Sequence, residues 1–394
     1  MENDLKKKLE EIYLNIKQNT HSISLLAGDP GIALFKFYYL KHVKNGNIEE
    51  IVSEIEVLSE ASINYNNIST FCNGQAGINW FFNLLYRNLY IDKDDYNIIT
   101  SSDNMLVEAS LNYLSNDVYD FLHGGVGIAH YLLHTRKKSL KPYFNNFLTS
   151  LIKIMGPSGS VAKHFDFDEK KLKSTQINPS LSHGLASILK FSLECNALGI
   201  YKRKTKYIAK SIIDFLSNNL KEDKTYSYFP YTYDLNSNNK INSRLSWCYG
   251  DLGIAFIMLQ YGKLFHDKKI EALSLEILIH ASKRRSHNET GIVDAGLCHG
   301  AAGVAYIFSR LWHNTKKSEF HEASNFWFGE MLKHSKYSDG VAGYKRYNHL
   351  ENNMVNDCSL LEGVAGIGLA IISHLYEDYS WDSCLMLNDL KWLK

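Results

Sequence analysis

The chain has 394 residues, of which 45% are hydrophobic and 22% are charged, as in a globular protein with a large core. Its formal net charge of +1 argues against a surface built to bind nucleic acid or another polyanion. No run approaches the roughly 18 apolar residues of a membrane span, and the charged opening MENDLKKKLEEIYLNIKQNT lacks the apolar centre of a signal peptide. We therefore expect a cytoplasmic protein that does not insert into a membrane.

Proline and cysteine are both sparse. Only 5 prolines in this length favour long helices, because proline interrupts them. In a chain without an export signal, cysteines are expected to be reduced thiols or metal ligands and not a disulfide framework. The six cysteines are Cys72, Cys195, Cys248, Cys298, Cys358 and Cys384.

One phrase, Gly-x-x-Gly followed by Ile or Val, recurs along the chain. The copies are LAGDPGIA from Leu26, CNGQAGIN from Cys72, LHGGVGIA from Leu122, WCYGDLG from Trp247, LCHGAAG from Leu297 and LEGVAGIG from Leu361. A degenerate copy, SHGLASIL from Ser182, has Ser187 in place of the second glycine. The seven first glycines stand 46, 50, 60, 66, 50 and 63 residues apart: Gly28, Gly74, Gly124, Gly184, Gly250, Gly300 and Gly363.

Each copy predicts the same pair of helices, in the same order. An amphipathic segment such as NIEEIVSEIEVLSEA or KIEALSLEILIHASK precedes the phrase, and an apolar segment such as GIALFKFYYL or GIAFIMLQYG follows it. Two connections are longer, residues 156–178 and 221–243, and alternating aromatic residues in the second predict a strand or hairpin. These connections form either a small β-containing appendage or two surface loops.

Helix pairs that repeat at this period cannot bury their apolar faces alone, so they stack into a solenoid or close into a ring. The first and last inner segments, GIALFKFYYL and GIGLAIISHL, are as apolar as the others, whereas an open solenoid needs polar ends. The sequence therefore predicts an all-α fold, a seven-repeat α/α toroid with inner and outer helix rings, formed as a single domain over residues 1–394.

The two residues before each first glycine include many side chains that can bind a metal ion or transfer a proton. In order they are Leu-Ala, Cys-Asn, Leu-His, Ser-His, Cys-Tyr, Cys-His and Leu-Glu, and equivalent repeats place them at one height on the ring. Cys248, Cys298 and His299 offer two thiolates and an imidazole, a set that suits zinc and leaves a fourth position open. The alternative is a pair of buried thiols beside a core histidine. Cys72, in a distant repeat, is interpreted as a packed thiol.

Three further side chains lie on the arc formed by repeats 3 to 6. His183 could act on a substrate beside the metal or be a hydrogen-bonded structural residue. Asp120 could be catalytic or cap its turn. Arg244 could hold an anion in the cavity or be a surface charge.

The motifs SWCYGDLG, CHGAAGVA and SHG, with the seven glycine phrases, resemble the lanthionine synthetase C-like family across essentially the whole chain. This resemblance implies a toroid with one zinc ion per chain and a Michael-type cyclisation. In that reaction cysteine thiols of a dehydrated precursor peptide add to dehydroalanine or dehydrobutyrine and form (methyl)lanthionine thioether rings. The resemblance assigns the metal ligands to Cys248, Cys298 and His299, and the catalytic roles to His183, Asp120, Arg244 and Tyr249.

The resemblance also implies an SH2-like appendage, which the two long connections would supply, and Ser187 suggests a different backbone near His183. Expected partners are the precursor peptide, a dehydratase and a membrane transporter complex. Two other functions stay open: the addition of glutathione to dehydrated residues, and a non-catalytic scaffold that binds the peptide or the dehydratase. An esterase is excluded by the lack of a G-x-S-x-G elbow. A glycosidase would need paired rim carboxylates, but only Glu362 is present, with Asp120 further back.

Overall fold

The computed structural model of the protein describes residues 1–17, 22–65, 68–155, 164–166, 171–173, 175–237 and 240–393. Its inner ring consists of seven helices that are apolar and buried on nearly all sides, as expected for helices enclosed by other helices. Each begins one residue after the first glycine of a phrase. They are α2 (Asp29–Val43), α4 (Gln75–Arg87), α7 (Gly125–His134), α9 (Leu185–Ala197), α11 (Asp251–Phe265), α14 (Ala301–Thr315) and α16 (Val364–Tyr376).

The outer helices bury one face and expose the other. In the fifth of them, Ile208, Ile212 and Leu216 are buried at helical spacing, while the intervening Lys210 and Asp214 are exposed. The outer ring contains α1 (Glu2–Asn15), α3 (Glu49–Ile63), α6 (Asp103–Ser115), α8 (Lys141–Met155), α10 (Lys202–Asn218), α12 (Lys268–Ala281) and α15 (Ser318–Lys333). Two shorter helices are α5 (Lys93–Ile99) and α13 (His287–Thr290), and 3-10 turns lie at Lys138–Leu140, Asp382–Leu385 and Leu390–Leu393.

Backbone hydrogen bonds link the rim turns around the ring. At six of the seven junctions, the N–H of the rim residue two positions before the first glycine donates to the carbonyl of its counterpart in the next repeat; among the described residues, the junction between repeats 3 and 4 is the exception. These bonds, which we call the rim belt, run from Leu26 to Cys72 (3.4 Å), Cys72 to Leu122 (2.8 Å), Ser182 to Cys248 (3.4 Å), Cys248 to Cys298 (3.3 Å), Cys298 to Leu361 (2.9 Å) and Leu361 to Leu26 (2.9 Å). The last bond joins repeat 7 to repeat 1. Helix α16 also packs against α2 and α1, so the predicted closed α/α toroid is confirmed.

Short antiparallel strands lie in three places: β1 (His164–Asp166) with β2 (Lys171–Lys173), β3 (Gln176–Ile177) with β4 (Tyr233–Asp234), and β5 (Arg346–Asn348) with β6 (Asn353–Val355). Strand β3 comes from the first long connection and β4 from the second, with Gln176 opposite Asp234 and Ile177 opposite Tyr233. Residues 156–163, 167–170, 174 and 238–239 lie outside the described residues, so the appendage stays a prediction. The β5–β6 hairpin was not predicted from the sequence.

Residues 381–389, which we call the C-terminal plug, are enclosed by the inner ring. His130 of α7 lies 2.8 Å from the carbonyl oxygen of Ser383, and the Trp247 indole N–H donates to the carbonyl of Leu385. Arg310 of α14 donates to the carbonyl of Leu387. The plug is therefore held from several sides of the ring. Among the described residues, no helix has the length and apolar character that a membrane crossing requires.

Candidate metal centre

Glycine is required in the rim turns because neighbouring backbone comes very close. At Gly250 the backbone has a φ of +92°, a conformation that residues with a side chain rarely adopt. A Cβ atom there would also collide with the carbonyl oxygen of Arg244. At Gly127, the second glycine of its phrase, a Cβ would collide with the carbonyl oxygen of Phe121. The tight turns hold the residue pairs before each glycine at the ring mouth.

The turns of repeats 5 and 6 bring Cys248, Cys298 and His299 together. Their ligand atoms all lie within 4.8 Å of one another, so the three side chains could hold a metal ion. The two sulfurs are buried, with Cys248 5% and Cys298 9% exposed, while His299 is half-buried. The Ser246 hydroxyl lies 3.4 Å from Cys248 Sγ. Neighbouring repeats supply the donors, as the sequence predicted.

Electrostatics favour a thiolate at this centre. A hydrogen bond from Cys298 and the nearby His299 ring hold the pKa of Cys248 well below its ordinary value, against the effect of burial. The same hydrogen bond raises the pKa of Cys298. Burial alone would lower the pKa of His299, but its hydrogen bond to Cys248 raises it. Two sulfurs and an imidazole nitrogen form a donor set that fits a sulfur- and nitrogen-preferring divalent ion with one position left open.

His183 and Asp120 form a pair on the neighbouring arc of the rim. His183 Nδ1 lies 2.5 Å from Asp120 Oδ2, and the backbone N–H of His123 donates to Asp120 Oδ1 at 2.7 Å. Burial alone would raise the pKa of Asp120, but the charge and hydrogen bond of His183, with His123, hold it below its ordinary value. Asp120 therefore pairs with His183 and also caps its own turn. Its catalytic role stays a prediction.

Tyr249 and Arg244 flank the two groups. The Tyr249 ring lies 5.8 Å from the His183 ring, stacks on Tyr231 at 4.2 Å, and its hydroxyl accepts a hydrogen bond from Asn178. Burial raises the pKa of Tyr249 far above its ordinary value, so its hydroxyl stays protonated. Arg244 is half-buried, and its positive charge acts on both Cys298 and His299. The Arg244 charge therefore contributes to the electrostatic field around the candidate metal ligands.

Sequence reasoning missed several side chains around the centre. The His123 ring stacks on His183 at 6.0 Å, and the His349 ring, on the β5–β6 hairpin, lies 5.7 Å from the His299 ring. The hairpin is anchored by Asp294, whose carboxylate accepts a hydrogen bond from the backbone N–H of Tyr347 at 3.0 Å. His123 could have been found, because it occupies the same rim slot as His183 and His299.

Two other sequence interpretations concern the rim. Burial raises the pKa of Cys72 to about 12, in keeping with a packed thiol. The different backbone suggested by Ser187 is not observed. Gly184 has φ −142° and ψ −153°, close to the φ −136° and ψ −163° of Gly124, and the Ser187 hydroxyl donates to the carbonyl of Gly184 at 2.7 Å. A serine fits here because its hydroxyl satisfies a turn carbonyl.

Comparison with known proteins agrees with the ring fold. The chain belongs to the lanthionine synthetase C-like protein family, whose sequence profile matches residues 20–386, and the predicted resemblance is confirmed. Among solved structures, nisin cyclase is similar to this chain, with a TM-score of 0.76 and 20% identity, covering 98% of this chain and 97% of that chain. At this identity the likeness shows a shared fold. A search of curated proteins finds no match.

Proposed function

We propose that the protein is a zinc-dependent lanthionine-forming cyclase acting on a dehydrated precursor peptide. One observation carries the proposal: two cysteine sulfurs and a histidine nitrogen converge within 4.8 Å on the rim that also holds the His183–Asp120 pair. Family membership and the likeness to nisin cyclase support the same reaction. A dehydratase and a transporter complex are the partners that such a reaction implies.

Cys248, Cys298 and His299 would hold the zinc ion. A bound zinc ion lowers the pKa of a coordinated thiol, so that a substrate cysteine, whose free pKa is about 8.5, becomes a thiolate nucleophile at neutral pH. The residues of the chain provide the remaining functions: binding the peptide, orienting the alkene and handling the proton.

His183 is the residue we assign to proton transfer. The substrate sulfur forms a bond to Cβ of the dehydrated residue, the electron pair of the double bond moves to Cα, and Cα then takes up a proton. Because Nδ1 is committed to Asp120, Nε2 of His183 is the nitrogen that delivers the proton. The thiol loses one proton and Cα gains one, so the peptide mass does not change.

Arg244 and Tyr249 complete the proposed site. Negative charge develops on the carbonyl oxygen next to Cα during the addition, and the nearby Arg244 guanidinium would stabilise it. Tyr249, stacked on Tyr231, forms an aromatic wall beside His183 against which the peptide backbone can pack. Arg244 and Tyr249 would thus form one reaction surface together with His183 and the three metal ligands.

The test uses metal-loaded protein and a peptide that carries dehydroalanine, dehydrobutyrine and cysteine. We expect the peptide to lose free thiols, measured by alkylation, without a change in mass. Glutathione addition would instead raise the mass by a whole tripeptide, and a scaffold would leave the thiols unchanged. Either result would contradict the proposal.

Matched variants separate the roles. Cys298→Ala should lose both zinc and ring closure, whereas Cys72→Ala, at the equivalent rim position of repeat 2, should keep both. His183→Phe should keep zinc and lose rate, and Asp120→Asn should lower the rate about 100-fold, with the exposed Asp214→Asn as control. Unchanged cyclisation in His183→Phe would remove this residue from the mechanism.

A further inference from the structure

A second cluster of ligand side chains lies inside the ring, on helices of repeats 3 and 4. His130 and His134 are four residues apart on α7 and therefore share one face, and Glu194 reaches them from α9. One ligand atom from each lies within 4.8 Å of the others. His130 and Glu194 have no exposed surface and His134 is 8% exposed. None of these side chains belongs to the rim centre.

Hydrogen bonding shows which ring nitrogen of His130 carries a proton. Its Nε2 lies 2.8 Å from the carbonyl oxygen of Ser383, and a carbonyl only accepts, so Nε2 carries a proton. In a neutral ring Nδ1 then holds a lone pair, which faces Glu194 Oε2 at 2.9 Å. A lone pair and a carboxylate oxygen at this distance require a positive species between them, either a proton or a metal ion. A histidine that binds a metal commonly donates its other N–H to a backbone carbonyl.

His134 and Glu194 bring further lone pairs to the same point. His134 Nε2 lies 3.6 Å from Glu194 Oε2, and among the described residues neither His134 Nε2 nor Glu194 Oε1 has a hydrogen-bond partner. Buried polar atoms are normally satisfied. His134 also borders a cavity of about 620 Å³ that is lined by Arg87, Asp382 and others, so an ion has space to enter and to keep one further ligand.

We propose that His130, His134 and Glu194 form a second metal site, which binds a divalent transition-metal ion through two imidazole nitrogens and a carboxylate oxygen. Such donors suit zinc, cobalt, nickel or iron. The ion takes the place of the proton between His130 and Glu194. The second site is independent of the rim centre, because its ligands lie on different helices and include no sulfur.

Lys190 sets the strength of this site. Its ammonium lies 3.6 Å from Glu194 Oε1, while its hydrogen bonds go to Gln260 and to the backbone carbonyl of Asn388. A divalent ion next to this ammonium is repelled, so the site binds less tightly than the rim centre. Lys190→Met removes the repulsion and should tighten binding roughly tenfold.

The experiment titrates metal-free protein with Co²⁺ and follows its absorption spectrum. We expect two equivalents per chain: one with an intense sulfur-to-cobalt charge-transfer band, from the rim centre, and one with weak ligand-field bands alone. Cys298→Ala should remove the sulfur band and keep the second equivalent. His134→Gln should do the opposite. His374→Gln, which changes a half-buried histidine near the end of the inner helix α16, is the matched control and should bind two equivalents.

The outcomes distinguish this inference from the proposed function. One equivalent with the sulfur band in the unaltered protein would mean that a proton joins His130 to Glu194, which overturns the second site and leaves the cyclase proposal standing. One equivalent without the sulfur band would support the second site and contradict the rim centre. Because the titration of the unaltered protein tests both metal sites, the result does not depend on how well His134→Gln folds.

Discussion

At the residue scale, the glycines of this chain differ in the contacts that an alanine side chain would make in their place. Gly250 has a φ of +92° and faces the carbonyl oxygen of Arg244, so the rim turn before α11 needs the absence of a side chain. Gly329 lies inside α15, and nothing stands within 4 Å of the place where its Cβ would be. The rim turn can form only with glycine at position 250, whereas glycine at position 329 only weakens its helix.

We predict opposite effects from alanine at these two positions. Gly250→Ala should lower the free energy of unfolding by about 1–3 kcal/mol, because of the strained φ, and should weaken metal binding, since Cys248 is two residues away. Gly329→Ala should raise it by about 0.5–1 kcal/mol, because alanine favours the helix. Urea unfolding and metal analysis provide the measurements. A stabilised Gly250→Ala protein would show that the turn tolerates a side chain.

At the element scale, the C-terminal plug depends on Arg310. This side chain is 1% exposed, and its guanidinium lies 3.1 Å from Asp382 and 3.4 Å from Asp389 while it donates to the carbonyl of Leu387. Asp382 also accepts a hydrogen bond from the Tyr306 hydroxyl. Buried charges of this kind are stable only as a complete set, because a single unpaired ion is costly inside a protein.

Arg310→Ala should therefore lower the free energy of unfolding by about 3–5 kcal/mol. The exposed pair of Lys333 and Glu330 offers a control, since Lys333→Ala should change stability by less than about 1 kcal/mol. Chemical denaturation measures both. A loss in Arg310→Ala as small as in the control would mean that the plug is held by its apolar contacts.

The inner helices were predictable because each starts at a glycine turn and runs as a mostly apolar segment. The plug and the β5–β6 hairpin were not, because the plug has no repeat phrase and the strands of the hairpin are three residues long, with their position set by contacts such as Tyr347 to Asp294. The rim trio followed from repeat equivalence. The second cluster was missed, although Glu194 inside the apolar helix α9 was a visible signal.

At the scale of the whole molecule, the ring is closed by contacts between its first and last repeats. Asp378, just after α16, accepts hydrogen bonds from Lys41 and His42 of α2, both at 2.8 Å. Its side chain is 15% exposed. Burial alone would raise the pKa of Asp378, but these partners and Ser380 hold it well below its ordinary value.

Asp378→Asn should lower the free energy of unfolding by about 1–3 kcal/mol at pH 7. Because the folded-state pKa is depressed, this stabilisation is complete above the unfolded value of about 3.9 and disappears as the pH falls through the folded value. The difference between the variant and the unaltered protein should therefore begin to shrink below about pH 4, and should vanish only in stronger acid, once the pH has passed the depressed folded-state pKa. Unfolding curves at several pH values provide the measurement, and a constant difference down to low pH would contradict this role for the carboxylate.

The rim belt limits where this protein can change in size. Six of the seven junctions between neighbouring turns are bridged by the rim belt, and the His183–Asp120 pair spans the junction between repeats 3 and 4. An eighth unit could therefore enter only if the circle opened and closed again with a new curvature. The spacing between copies nevertheless varies from 46 to 66 residues, and the longest intervals contain the 156–178 and 221–243 connections and the β5–β6 hairpin. Inserted sequence, such as a fused module or an affinity label, should therefore be accepted at the outer edge, where it leaves the inner perimeter and the residues mounted on it undisturbed.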